Sequence, residues 1–213
     1  KADKIGTSTA VLFDADRSWY NSFVQMNVLN YALAYSGTGY DGYIKTFATA
    51  ADGSNITNQA SLAHDKKQST YNSLVKIDDD TYALAYQGDG NHGYIKTFTI
   101  PADGSSITKV DSLEHDTEYG NHNSFVKVDD DTYALAYNGG KNTVGNSTYS
   151  GDPYIKTFTI PADGSSITEV ALLKHEGNLT ASNDKAKTEA WYNSLIKMND
   201  DTFLLAYFSR KSG

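Results

Sequence analysis

The 213-residue chain contains no cysteine. That excludes a disulfide framework, a thiolate nucleophile and any Cys-ligated zinc or iron–sulfur centre. Proline is scarce, with 3 residues, and no apolar run approaches the roughly 18–20 residues that cross a bilayer as a helix. Membrane insertion is not expected. Positive charge is in short supply too: 18 Lys and Arg stand against 26 Asp and Glu, a formal charge of -8. Such a surface repels phosphate backbones and anionic lipid, which argues against nucleic acid as a partner. The motifs of familiar chemistries are missing as well, with no G-x-S-x-G elbow, phosphate-binding glycine loop or H-E-x-x-H. What the chain does hold is 16 Tyr and 17 Gly, a composition that reads as β-rich and soluble.

The dominant signal is internal repetition. The segment from Tyr71 to Asp116 recurs almost verbatim: Asn21, Asn72 and Asn123 lie 51 residues apart, and Asn193 opens a further repeat 70 residues on. The third repeat carries two insertions, Lys141–Pro153 and Gly177–Trp191. Within the second repeat four β-like stretches are separated by turn residues: Asn72–Ile77, Thr81–Tyr86, Gly93–Ile100 and Ser105–Leu113. In Thr81–Tyr86 the large residues Tyr82, Leu84 and Tyr86 alternate with Ala83 and Ala85, which puts bulk on one face and alanine on the other. Pro101 and Gly104 suit a turn between the third and fourth stretches. No segment has a helical apolar period of useful length.

Four antiparallel strands in units of about 50 residues are the signature of a β-propeller blade. The strand order is similar to that of a kelch unit. The kelch Gly-Gly doublet is found once, at Gly139-Gly140, and the tryptophan expected in the fourth strand is absent. The repeats also resemble those of large secreted or surface-attached prokaryotic proteins of unassigned role, which implies an extracellular or cell-surface location. A removed leader would leave a start such as Lys1. The expected fold is all-β: a single four-bladed β-propeller over residues 1–213, with repeats 21–71, 72–122 and 123–192. The last blade combines residues 1–20 with 193–213 and is closed by both termini. Its strands would be Ile5–Phe13 and the first two strands of Asn193–Tyr207, one short of four. A three-stranded blade, a strand supplied by another molecule, or a longer parent chain would each account for the gap. Self-assembly through this composite blade is therefore one expected partnership.

With this order, the fourth-to-first and second-to-third loops emerge on one face, and both insertions fall among them. They mark a sector containing Asn142, Asn146, Tyr149, Asp152, Asn183, Asp184, Trp191 and Tyr192. Trp19, Tyr20, Tyr71 and His122 lie near the same loop face. The candidate ligand-binding residues are Trp19, Tyr20, Tyr71, His122, Tyr149, Asp152, Trp191 and Tyr192. Amide and carboxylate groups beside aromatic rings suit a glycan; the alternative is a pair of solubilising loops. Sequons at Asn55, Asn146 and Asn178 are candidate glycosylation sites.

Three histidines, His64, His115 and His175, recur in successive repeats with an acid after each, and Phe13 fills that slot in the first. Spread around a ring, they read as scaffold, each tying strand ends by a hydrogen bond. His92 and His122 lack a partner at metal-ligand spacing. The turns Asp78–Asp80, Asp129–Asp131 and Asn199–Asp201 lack the alternating spacing of a calcium loop, which leaves Ca²⁺ as a weak possibility and no other cofactor. The leading functional expectation is a secreted, non-enzymatic propeller for binding or assembly. A carbohydrate-binding lectin-like module comes next, then a polysaccharide-active hydrolase or lyase, for which no pair of acids is singled out.

Overall fold

The alternation of bulky and small residues in each repeat builds an antiparallel sheet with one heavy and one light face. The computed structural model describes residues 10–144, 147–150, 152–175 and 189–210. The first sheet is β1 (Trp19–Gln25), β2 (Asn30–Ser36), β3 (Gly42–Thr49) and β4 (Ile56–Asp65), paired in that order. The second is β5 (Thr70–Lys76), β6 (Thr81–Gln87), β7 (Gly93–Thr99) and β8 (Thr108–Asp116). In the third, β9 (Asn121–Lys127) and β10 (Thr132–Asn138) lead into an inserted hairpin, β11 (Lys141–Val144) with β12 (Ser147–Ser150). The sheet then resumes with β13 (Pro153–Thr159) and β14 (Thr168–Lys174). A final two-stranded sheet pairs β15 (Glu189–Asn199) with β16 (Thr202–Arg210). The first strands β1, β5, β9 and β15 neighbour one another in sequence around the axis, β1 against β5, β5 against β9, β9 against β15. This is a propeller-type arrangement of blades, with the fourth strands outermost.

The blades pack large on small. Ala83, Ala85 and Ile95 of the second blade meet Phe125, Tyr133, Leu135, Tyr137 and Phe158 of the third. One joint earlier, Ala32, Ala34 and Ile44 meet Leu74, Tyr82, Leu84, Tyr86 and Phe98. Ala134 and Ala136 in turn meet Leu195, Phe203 and Leu205 of the last sheet. Alanine on the light face lets the aromatic rings of the next blade approach to van der Waals distance, and each buried ring removes a large apolar area from water.

Polar contacts fix the register of each joint. Ser22, Ser73 and Ser124 accept the backbone N–H of Leu74, Phe125 and Leu195 at 2.8, 2.9 and 2.8 Å. Lys76, Lys127 and Lys197 reach back to the carbonyls of Met26, Ile77 and Val128. At the outer rim, the hydroxyls of Tyr35, Tyr86 and Tyr137 donate to Asp14, Asp65 and Asp116 at 3.0, 2.9 and 3.1 Å. The adjacent lysines Lys45, Lys96 and Lys156 donate to the carbonyls of Phe13, His64 and His115. Burial would raise the Asp65 carboxyl, but the Lys67 N–H, the Tyr86 hydroxyl and Lys96 outweigh it and hold it below its ordinary range.

The fourth strand is displaced by three residues from the expected stretch, running from Thr108 to Asp116 rather than Ser105 to Leu113. The Pro101–Gly104 turn forms, with the Gly104 N–H on the Pro101 carbonyl at 2.7 Å. It is drawn onto the preceding blade, however: Thr46 donates to the Gly104 carbonyl at 2.6 Å, and Thr97 to that of Gly164 at 2.7 Å. The chain leaves the turn as an irregular stretch, along which Ile107 and Ile167 are tucked into the joints.

The histidine slots also differ from expectation. His64 lies 3.3 Å from the Ser69 hydroxyl, but neither ring nitrogen of the buried His115 has a hydrogen-bond partner. Its ring instead packs edge-on against Tyr137 and Phe158. Gly120 stands where Ser69 does in the repeat before, and it packs closely against the backbone of Gly93. His115 therefore stabilises by packing.

Residues 10–14 occupy the same slot at the first blade without forming a strand, and Val11 and Phe13 pack on Leu33, Tyr35 and Phe47. The expected place of Ile5–Phe13 in a composite blade closed by both termini rests largely on residues 1–9, outside the described residues.

Two outcomes are expected. Ala83→Leu overpacks the second joint and lowers unfolding free energy by about 1–3 kcal/mol, read as a shifted denaturant midpoint. Burial pushes His64 and His115 down to about 3, against about 6.5 in an unfolded chain. The unfolded state then binds more protons between these values, so stability is full above pH 6.5 and falls as pH drops toward 3. The slope is about 1.4 kcal/mol per pH unit per histidine. His115→Phe, with the residue native to this slot in the first repeat, removes its share of that slope; an unchanged slope in pH-dependent urea melts refutes the assignment.

Candidate functional site

Each first strand is broken by the same irregularity. The register of β1 on β2 passes from Trp19↔Ser36 to Ser22↔Ala34, leaving two residues, Tyr20 and Asn21, opposite one. The corresponding shifts lie between Thr70 and Ser73, Asn121 and Ser124, and Trp191 and Ser194. These are β-bulges, which bend a strand and re-aim a side chain. The first bulged residue is left-handed in every case: Tyr20 φ 53°, Tyr71 φ 53°, His122 φ 54° and Tyr192 φ 60°. Glycine adopts this conformation without penalty, whereas a bulky residue pays about 1–2 kcal/mol. Here four aromatic rings take it.

The second bulged residue holds the strain in place. The side-chain amides of Asn72, Asn123 and Asn193 donate to the carbonyls of Tyr20, Tyr71 and His122 at 3.1, 3.2 and 3.1 Å. Each asparagine thus ties its own bulge to the bulge of the preceding blade. Ser69 donates to the Asn72 carbonyl oxygen at 2.7 Å, and Ser18 to that of Asn21 at 2.6 Å. Gly120 and Ala190 stand at the matching positions before Asn123 and Asn193, and the buried Oδ1 atoms of these two asparagines have no partner.

The re-aimed rings converge at the axis, where Tyr20, Tyr71, His122 and Tyr192 line a pocket of about 270 Å³ with their four asparagines. Tyr20 meets Tyr71 at 4.6 Å between centroids, Tyr71 meets His122 at 4.3 Å, and His122 meets Tyr192 at 4.9 Å. Trp191 stacks at 6.4 Å from His122 and packs on Phe208. Trp19 stands beside the cluster against Tyr40, under the Arg17 guanidinium. Burial pushes His122 down to about 4, so it is neutral at pH 7. Burial, then the neighbouring Tyr20 and its hydrogen bond, pushes Tyr71 up to about 12. The lining is therefore uncharged across the physiological range, in a chain of net charge -8.

Five of the eight candidate residues, Tyr20, Tyr71, His122, Trp191 and Tyr192, are brought together here, and Trp19 packs on Tyr40 instead. Asp152 is not among them; it pairs with Lys174 of the outermost strand at 2.5 Å. The side chain of Tyr149 lies outside the described residues, as do Asn146 and Asn178, while Asn55 is exposed in the turn after β3. His92 pairs with Glu114 rather than joining the axial cluster. Among the described residues no three His, Asp or Glu side chains gather to hold a metal ion. The asparagines Asn21, Asn72, Asn123 and Asn193 belong to the site although their residue type did not single them out. Their signal is the repeated aromatic-Asn-Ser triplet that opens every first strand.

No family model and no curated protein matches the sequence. Solved structures do match the fold. Sqt1 of Saccharomyces cerevisiae gives a TM-score of 0.53 at 8% identity, over 92% of this chain and 43% of its own. A protein of unknown function from Dyadobacter fermentans gives 0.55 at 14%, over 86% and 47%. The periplasmic gluconolactonase PpgL of Pseudomonas aeruginosa gives 0.50 at 13%, over 91% and 65%. At these identities the likeness shows the fold alone, and it is of propeller type. The chain spans 43–65% of the length of these three structures.

Tyr192 is 71% exposed, so its substitution isolates the backbone strain from packing. Tyr192→Val should be about 1 kcal/mol less stable than Tyr192→Gly, measured by chemical denaturation. Equal stabilities would show that the bulge is not strained.

Proposed function

We propose that the protein is a non-enzymatic binding module, working outside the cell or at its surface, whose axial mouth holds a neutral, polyhydroxylated ligand: a carbohydrate. The observation that carries this reading is the row of Tyr20, Tyr71, His122 and Tyr192, all four held left-handed. Backbone strain in a bulky side chain costs stability at every repeat, where asparagine or glycine would cost less. Strain retained against that gradient marks a site with a task. Ring faces offer stacking surface to the C–H faces of a sugar, and the tyrosine hydroxyls and neutral imidazole offer donors and acceptors to its hydroxyls. An uncharged lining favours a neutral ligand over an ion. The resemblance of the repeats to secreted and surface-attached ones supports the location.

A screen against neutral oligosaccharides tests the reading. Binding is expected, and Tyr71→Ala or His122→Ala should weaken it tenfold or more, about 1.4 kcal/mol, while Asp152→Asn leaves it unchanged. Affinity that survives the axial substitutions, or no affinity for any neutral glycan, overturns it.

A further inference from the structure

Among the described residues the joint between blades is made three times, and both halves of a fourth stand exposed, one on the first blade and one on the last sheet. On the first blade the heavy face is open. Phe23 is 59% exposed, whereas Leu74, Phe125 and Leu195, its counterparts in the later blades, are 7, 5 and 4% exposed. Phe23, Val28, Leu29, Tyr31 and Phe47 line an apolar cleft of about 650 Å³ together with Val11 and Phe13. Val28 and Leu29 replace the acids Asp79 and Asp80 of the second repeat, which makes this the one hairpin tip of its kind with an apolar surface. The neighbouring turn is open too: Gly104 and Gly164 sit against threonines of the preceding blade, but nothing lies within 4 Å of a Cβ at Gly53.

On the last sheet the opposite face is bare, with Ile196, Leu204 and Phe208 at 52, 53 and 51% exposure. Leu204 replaces the alanine found at Ala32, Ala83 and Ala134. A larger knob at this position calls for a deeper recess, and the cleft beside Phe23 supplies one.

We infer that a second copy of this chain occupies the cleft, its last sheet docking on the first blade head-to-tail, so that two arcs close one ring. Continuity with the internal joints gives the register. The carbonyl of Tyr192 and the hydroxyl of Ser194 hold the positions of Tyr20 and Ser22, and meet the Asn21 side chain and Phe23 N–H of the other copy. Residues 10–14 already fill the slot that a preceding fourth strand takes elsewhere, with Lys45 on the Phe13 carbonyl and Tyr35 on Asp14. They therefore belong to the blade that the second copy's β15 and β16 begin. The contact is heterologous and closes by two-fold symmetry.

Native mass spectrometry and sedimentation of the purified chain test this. The expected particle is a dimer, twice 23.2 kDa, that dissociates on dilution. Phe23→Glu and Leu204→Glu change exposed residues and should each leave the β circular dichroism intact while weakening dimerisation tenfold or more. Mixing the two variants is the decisive step. The Leu204→Glu chain keeps its first-blade face and the Phe23→Glu chain keeps its last-sheet face, so one sound joint forms and a heterodimer returns. A monomer at every concentration, a dimer indifferent to both substitutions, or a mixture that recovers no dimer overturns the inference.

Discussion

The fold depends on alanine facing tyrosine across the gap between blades. A single sheet with Tyr82, Leu84 and Tyr86 on one side and Ala83 and Ala85 on the other has no stable state in water by itself. Its heavy face needs a cover, and its light face has too little area to attract one unless the cover is bulky. Stacking the repeats resolves both demands at once, because each heavy face is placed on the light face of its neighbour. All five of these residues are completely buried. The tight approach also fixes where polar groups can go. Serine hydroxyls, lysine ammoniums and tyrosine hydroxyls cross the joint at constant offsets, each satisfying a backbone or carboxylate group that the packing would otherwise strand.

The same joint makes the axial site possible. A bulge with an aromatic residue in the left-handed region is unfavourable alone, and it persists when its surroundings over-determine it. The asparagine of the next blade supplies that determination by holding the carbonyl of the strained residue. At these three bulges strain and its restraint therefore lie on different blades. Three members of the aromatic row, Tyr20, Tyr71 and His122, are thus each positioned by the blade after it.

Much of this was legible before any coordinates. The 51-residue period, the alternation in Thr81–Tyr86 and the Pro101–Gly104 turn are local patterns, and they specify strands, blade order and the sides that pack. Trp19, Tyr20, Tyr71, His122, Trp191 and Tyr192 were grouped by their place near one loop face; the aromatic-Asn-Ser triplet that four of them belong to was the unused signal. What escaped was everything that one blade does to another. The bulge is not written in residue type, since tyrosine and histidine are poor predictors of a positive φ. The displaced start of β8 follows from Thr46 and Gly104 meeting across a joint, 58 residues apart. His115 was expected to hydrogen-bond, yet the serine that serves His64 is replaced by Gly120, which offers no hydroxyl. Asp152 was grouped with the aromatic residues by its position in an insertion; its place at the outer edge follows from pairing with Lys174.

The ligand site and the exposed joint share their parts. The carbonyls of Tyr20, Tyr71 and His122 are each held by an asparagine from the following blade, and Tyr192 ends the row among the described residues. In the proposed ring, Asn21 of the second copy takes that role, and the last strained bulge gains the restraint the other three have. Assembly would then do more than cover apolar surface. It would fix the orientation of the most exposed ring of the row and extend the aromatic lining around the axis, so that ordering entropy is met by the protein joint rather than by the ligand. A site built from inner strands thereby inherits its rigidity from the closure of the outer surfaces.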